Sequence, residues 1–187
     1  RWKGEEWITQ RALDTANFTV EKDALTLCGN GLDLCDRKMQ GLLLVRQQER
    51  AFTAETALEI PAAGTAGLTC YYDEHSYLKF GIGPEGLLLE EYAGYEVVSR
   101  QTAPLPASTF HVRLRVTAAD GQRHFAIQDR TDWHTLWSIP EPRYLTSEGL
   151  QCGKRFTGAM VGLYVHGASA VRFTDWVAVW PHPEEKR

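Results

Sequence analysis

A period-two alternation of apolar and polar residues is the feature that most constrains the fold of this chain. Phe110, Val112, Leu114 and Val116 are each separated by one polar residue, and residues 52–60 repeat the pattern. Successive side chains of a β-strand point to opposite faces, so such a segment buries one face and leaves the other in water. The pattern predicts an amphipathic strand that carries Phe110 on its core face.

Strand-like runs of this kind recur along the whole chain, and turn residues separate them. One separator is Asp120 followed by Gly121, a pair that accepts positive φ and favours a tight hairpin. We find no long helical pattern. The recurring strand-like runs therefore predict an all-β, two-sheet antiparallel sandwich of the jelly-roll kind. The further runs cover residues 42–46, 67–72, 77–82, 87–92, 95–101, 124–128, 133–138, 159–165 and 171–180.

Length and charge limit the number of domains and the class of partner. A chain of 187 residues is long enough for one buried core, so we expect a single domain over residues 1–180 and a tail over 181–187. A net charge of -4 argues against a nucleic-acid partner, and no apolar run approaches the length of a membrane span. The oligomeric state stays open, with a homo-oligomer among the alternatives. The compartment is open between cytoplasm and secretion, with the cytoplasm preferred.

The four cysteines are too few and too irregularly spaced for a disulfide framework or a zinc ribbon. Cys28 and Cys70 stand in apolar runs, where a buried free thiol is the expectation. A disulfide between Cys28 and Cys35 is the alternative, and the sequence leaves it open.

Catalytic residues are not evident. Sandwich proteins can be glycosidases, so this class of enzyme is tested first. A retaining glycosidase needs two carboxyls ~5.5 Å apart, and on one strand such a pair occupies alternate positions. Glu90 and Glu91 are adjacent and should face opposite sides, while Asp129 and Asp132 flank a predicted hairpin turn. The six histidines lack the spacing of metal ligands. We therefore predict no catalytic residues in this chain.

Aromatic residues are better candidates for contacts with a ligand. Sugars present flat C–H faces to aromatic rings, and exposed Tyr72 and Trp133 could offer such surfaces. Tyr71 and Tyr72 should face opposite sides of a strand, so we expect one of the two to be available. No cofactor is expected, except that Asp175 with Glu5 or Glu6 could hold a structural Ca²⁺.

Seven short motifs follow one another along the chain: Trp7 with Arg11, and residues 42–48, 52–56, 66–73, 144–146, 156–163 and 173–176. In this order they resemble the C-terminal β-sandwich domain of glycoside hydrolase family 43 β-xylosidases and related α-L-arabinofuranosidases. The resemblance implies a concanavalin-like jelly roll that follows a five-bladed propeller carrying the catalytic carboxylates.

The same resemblance implies roles for two residues. In this family, the phenylalanine that corresponds to Phe156 reaches into the mouth of the propeller and helps to bound the subsite for the leaving sugar. Arg46 would be a clamp, since a guanidinium can pair with a carboxylate at a domain interface. The chain would then be a non-catalytic accessory domain of a glycosidase acting on xylo- or arabino-oligosaccharides. A free-standing carbohydrate-binding module and a protein-protein interaction sandwich are the alternatives.

Overall fold

The computed structural model describes residues 2, 6–9, 17–105, 109–150, 152–153, 158–167 and 170–181. Within these ranges the chain is built from β-strands, and a short 3₁₀ helix (Arg143–Leu145) precedes the last two strands. None of the helices in the described ranges is long and apolar enough to cross a membrane. The strands are β1 (Phe18–Val20), β2 (Ala24–Cys28), β3 (Leu42–Arg46), β4 (Phe52–Glu59), β5 (Thr65–Asp73), β6 (Ser76–Gly83), β7 (Gly86–Ala93), β8 (Glu96–Ala103), β9 (His111–Ala119), β10 (Gln122–Asp129), β11 (Asp132–Pro140), β12 (Met160–His166) and β13 (Ala170–Val179).

The strands form two antiparallel sheets. The seven-stranded sheet has the order β1-β2-β13-β4-β9-β10-β11, and the six-stranded sheet has the order β3-β12-β5-β6-β7-β8. This arrangement confirms the predicted two-sheet sandwich. The predicted hairpin turn is also confirmed, because Asp120 and Gly121 both have positive φ, at 51° and 74°.

The main core lies between the two sheets and follows the predicted alternation, with one exception. Val112, Leu114 and Val116 of β9 are all buried. Phe110 is 80% exposed, so its predicted place on the core face is wrong. The physical reason is that β9 begins only at His111, and the backbone of Phe110 instead accepts a hydrogen bond from Ile60 as the chain enters the strand.

The outer face of the six-stranded sheet is also covered over part of its area, which the sequence did not indicate. Residues 29–41, which we call the covering loop, place Leu34 and Met39 in a second apolar cluster with Tyr71, Tyr77 and Tyr164. Because of this loop, β5 and β6 are buried on both faces. The predicted burial of the strand in residues 159–165 is confirmed in β12.

Each of the four cysteines is a free thiol in this structure. Cys70 is buried as expected, and this burial raises the pKa of its thiol, although the nearby Arg123 guanidinium lowers it in part. Cys28 is only half-buried and Cys35 is exposed. The alternative of a Cys28–Cys35 disulfide is therefore not formed here.

Candidate functional site

The β3–β4 connection, the β9–β10 turn and the segment after β11 meet at one end of the sandwich, which we call the loop end. The β3–β4 connection follows Arg46, whose register partner Met160 begins β12. On the other sheet, Phe52 at the start of β4 pairs with Ala118 near the β9–β10 turn. The segment 141–150 between β11 and β12 closes this end. The opposite end, which we call the far end, carries the β6–β7 turn and the β10–β11 turn.

A cleft of about 580 Å³ opens at the loop end. Its walls come from the β3–β4 connection, the β9–β10 turn and the segment 141–149. Two residues at its base, Arg123 and Glu141, form an ion pair in which Nη2 of the arginine lies 2.6 Å from Oε1 of the glutamate. Arg123 is 1% exposed, and its guanidinium carbon lies 5.3 Å from the centre of the Phe52 ring.

The ion pair fixes the start of the segment that walls the cleft. A charged hydrogen bond to a buried guanidinium is stronger than a neutral one, and here Nε of Arg123 also donates to Glu141 at 3.0 Å. Sequence reasoning missed both residues. The available signal was that Arg123 stands two positions before Phe125, on the inward-facing side of β10, where a charged residue requires a buried partner.

Tyr144 holds the same segment from the other side. Its hydroxyl donates a 2.8 Å hydrogen bond to Oε1 of Glu91, and burial together with this carboxylate raises the pKa of Tyr144. The phenol therefore remains a proton donor at neutral pH. The turn that follows requires glycine at position 149. A Cβ on Gly149 would lie 2.0 Å from the carbonyl oxygen of Arg143, too close for any other residue. The wall of the cleft is thus a fixed part of the domain.

Two of the predicted binding residues lie at the loop end. Arg46 is exposed at the end of β3, and its Nη1 atom would lie 3.9 Å from a Cβ built on Gly158. Tyr72 is 1% exposed and lines a smaller cleft of about 420 Å³ with Leu145 and Ala159. Phe156 lies outside the described residues.

The expectation that Tyr71 or Tyr72 presents an exposed ring is wrong. The two residues do face opposite sides of β5, but their exposures are only 3% and 1%. Tyr72 packs in the core between the sheets, and Tyr71 is buried beneath the covering loop. Tyr72 borders the small loop-end cleft, but its ring packs in the core and offers no exposed face on which a sugar could stack.

Trp133 is far from the other predicted residues. It lies next to the β10–β11 turn at the far end, where it pairs with Gln128. The Arg115 guanidinium lies 3.8 Å from the centre of its ring and also forms an ion pair with Glu55. Trp133 is half-buried, so part of its surface remains accessible. The structure does not bring Trp133 together with Arg46.

The acidic residues considered in the sequence are separated in the described part of the chain. Glu90 pairs with Lys79, while Glu91 accepts the Tyr144 hydrogen bond, which confirms that these neighbours face opposite sides. Asp175 is exposed at a bulge in β13 and has a φ of 54°. Around it, as elsewhere in the described ranges, no group of three His, Cys, Asp or Glu side chains is placed to hold a metal ion. The geometry gives the calcium prediction no support, and Glu5 lies outside the described residues.

Known proteins share both the sequence pattern and the fold. The family described as the β-xylosidase C-terminal concanavalin A-like domain matches residues 3–176. A β-xylosidase from Bacillus subtilis (strain 168) is 27% identical over 169 residues, which cover 81% of this chain and 32% of that protein. The chain therefore spans about a third of the length of this relative.

Solved structures show the same sandwich both as about a third of a longer chain and as almost all of a chain. The glycoside hydrolase family 43 protein BlXynB from Bacillus licheniformis is 24% identical with a TM-score of 0.75, covering 91% of this chain and 36% of that one. A xylan β-1,4-xylosidase from Bacillus halodurans C-125 is 20% identical with a TM-score of 0.78, covering 92% and 36%. A protein of unknown function from Saccharomyces cerevisiae is 18% identical with a TM-score of 0.62, covering 95% and 96%. By the family match over residues 3–176, the chain belongs to the C-terminal concanavalin A-like domains of glycoside hydrolase family 43 β-xylosidases.

Proposed function

We propose that this chain is the non-catalytic accessory domain of a glycosidase acting on xylo- or arabino-oligosaccharides. Its loop end docks on a family 43 propeller catalytic domain, and Phe156 bounds the subsite for the leaving sugar at the mouth of that propeller. The observation that carries the proposal is the position of exposed Arg46 at the end of β3. Arg46 lies beside Gly158, which comes two residues after Phe156 and just before β12 begins.

Two glycines flank residues 154–157, and both lie at the loop end. Gly153 has a φ of 97°, and a Cβ on it would lie 2.0 Å from Oδ2 of Asp73 at the end of β5. Gly158 has a φ of 72° and lies near Arg46. Phe156 stands between these two glycines in the sequence, and the proposal is that its ring contacts a domain docked on the loop end.

The scaffold beneath this end suits a positioning role. β12 follows directly and is buried on both faces, so it cannot shift without disturbing both apolar clusters. The Arg123–Glu141 pair and the Tyr144–Glu91 hydrogen bond fix the neighbouring wall. A residue that shapes a subsite must be held in place to be effective.

The first test replaces Phe156 in the full-length protein that contains this chain. We expect Phe156→Ala to lower kcat/KM on an aryl β-xyloside by about tenfold or more, since subsite packing worth ~1.4 kcal/mol is lost. Phe110→Ala is the matched control, because Phe110 is 80% exposed but lies at the far end. Equal activity of Phe156→Ala and the unchanged protein would contradict the role of Phe156.

The non-catalytic part of the proposal has its own measurement. The isolated chain should not hydrolyse the aryl xyloside that the full-length protein cleaves. Hydrolysis by the isolated chain that disappears on replacing a single carboxylate would overturn this part. The result does not depend on whether Phe156 contacts the sugar.

A free-standing carbohydrate-binding module is the second candidate. Two observations favour it: the fold covers almost all of the yeast protein, and Trp133 keeps accessible ring surface. In this case the isolated chain should be retarded in a gel containing soluble xylan, and Trp133→Ala should abolish the retardation. His134→Ala is the matched control, because His134 is the exposed neighbour of Trp133 on β11. Unretarded migration of the isolated chain would exclude this candidate.

A further inference from the structure

A second large cleft lies at the far end, on the outer face of the six-stranded sheet. Its volume is about 530 Å³, within the roughly 300–1,000 Å³ of small-ligand sites. The lining comes from the covering loop, the start of β5, the β6–β7 turn, β7, β8 and the end of β12. It shares no lining residue with the loop-end cleft.

The floor of this far-end cleft is a buried ion network. Nζ of Lys79 lies 3.0 Å from both carboxylate oxygens of Asp33 and 3.1 Å from Oε1 of Glu90. Nε of Arg100 donates to Oε2 of Glu90 at 2.8 Å. The side chains of Lys79 and Glu90 are only 2% and 3% exposed, so the network cannot rearrange freely. These fixed charges present polar atoms at set positions in the cleft.

The rim adds groups that water and a ligand can reach. Arg100 is 60% exposed, and Thr102 beside it on the same face of β8 is exposed as well. Pro84 and half-buried Leu88 provide apolar surface. His166 also lines the cleft, and burial lowers the pKa of its imidazole, which is therefore neutral at pH 7.

The charge balance indicates which class of ligand fits. Across the floor and the rim, two carboxylates face two cations, and the exposed Glu85 adds one negative charge. An anionic ligand therefore gains no net attraction from the summed charge of the site. A neutral polyol gains most, because each hydroxyl both donates and accepts, and its hydrogen bonds to charged groups are strong.

From this geometry we propose that the far-end cleft binds a short neutral oligosaccharide. Its hydroxyl groups would pair with the exposed edges of Arg100, Thr102 and Asp33, and its C–H faces would pack on Leu88 and Pro84. Such a site lies at the other end of the molecule from Arg46 and Gly158. It would hold a polysaccharide chain without taking part in the cleavage of the leaving sugar.

The test follows the binding of xylotetraose to the 187-residue chain by amide chemical shifts in NMR. We expect shifts in β7 and β8 near the cleft, and binding about tenfold or more weaker in Arg100→Ala, which loses a charged hydrogen bond. Thr102→Trp should block the cleft without touching the buried ion network. Arg113→Ala is the matched control, since Arg113 is a partly exposed arginine paired with Glu55 on the other sheet.

Three outcomes would overturn the proposal. The first is the absence of cleft shifts with xylotetraose at millimolar concentration. The second is unchanged affinity in both Arg100→Ala and Thr102→Trp, which would place any sugar elsewhere, for example at Trp133. The third is tighter binding of trigalacturonate, an acidic oligosaccharide, which would identify an anion site. The Phe156 proposal is unaffected by each of these results, because no propeller is present in the measurement.

Discussion

Lys79→Met is expected to lower the free energy of unfolding by about 3 kcal/mol, because it removes the buried cation from between two carboxylates. Lys79 is 2% exposed, and its ammonium group contacts both Asp33 and Glu90. Methionine nearly fills the same volume, so the loss comes from charge and not from a cavity. The value lies at the low end of the usual range, because Arg100 still pairs with Glu90 and Asp33 is 23% exposed.

Urea unfolding measures this change, and Lys38→Met is the matched control. Lys38 is an exposed lysine of the covering loop, so its replacement should change stability by less than about 0.5 kcal/mol. Adding Glu90→Gln to Lys79→Met should recover part of the loss, since it removes one uncompensated carboxylate. If Lys79→Met is as stable as the unchanged chain, the floor of the far-end cleft is not held by this network.

Arg123→Met is expected to lower the free energy of unfolding by about 2–3 kcal/mol and to loosen the loop end. The guanidinium is buried, contacts the Phe52 ring and makes charged hydrogen bonds to Glu141. Glu141 can turn toward water, because its side chain is 36% exposed, which keeps the cost moderate. The segment 141–150 would then lose one of its side-chain anchors, while the Tyr144–Glu91 hydrogen bond, the backbone hydrogen bond from Glu141 to Gly121 and the buried Leu145 and Leu150 remain.

Two measurements separate stability from local loosening. Urea unfolding gives the total loss, and hydrogen exchange reports on the amides of Leu145 and Gly149, which are hydrogen-bonded within the segment. Exchange at these amides should accelerate more than exchange in β12. Arg172→Met, an exposed arginine on β13, is the control and should leave both measurements unchanged. Equal exchange in Arg123→Met and the unchanged chain would show that the ion pair does not position the segment.

The sequence predicted the strands well, because the signal for a strand is local. The run at residues 42–46 coincides with β3, and the other runs match strands to within a few residues. The error at Phe110 arose at the start of a strand, where alternation is already present in the sequence before strand pairing begins. The short strand β1 (Phe18–Val20) was not predicted, because three residues carry too little periodicity.

The candidate sites were less predictable, because their residues meet only across large sequence distances. Asp33 and Lys79 are 46 residues apart, and no local pattern indicates that the covering loop brings them together. For the same reason the burial of Tyr71 could not be predicted. Its strand position gave the face of the sheet, but not the loop that packs on this face.

The sequence by itself therefore determined the class of fold, the division of each strand into an inner and an outer face, and the family of the domain. Side-chain alternation and turn residues act over a few residues, so a single chain displays them directly. Only the tertiary structure decided which outer faces are covered and which charged residues become partners. Those outcomes depend on how distant segments pack, and the covering loop and the Arg123–Glu141 pair are the two cases that shape the clefts.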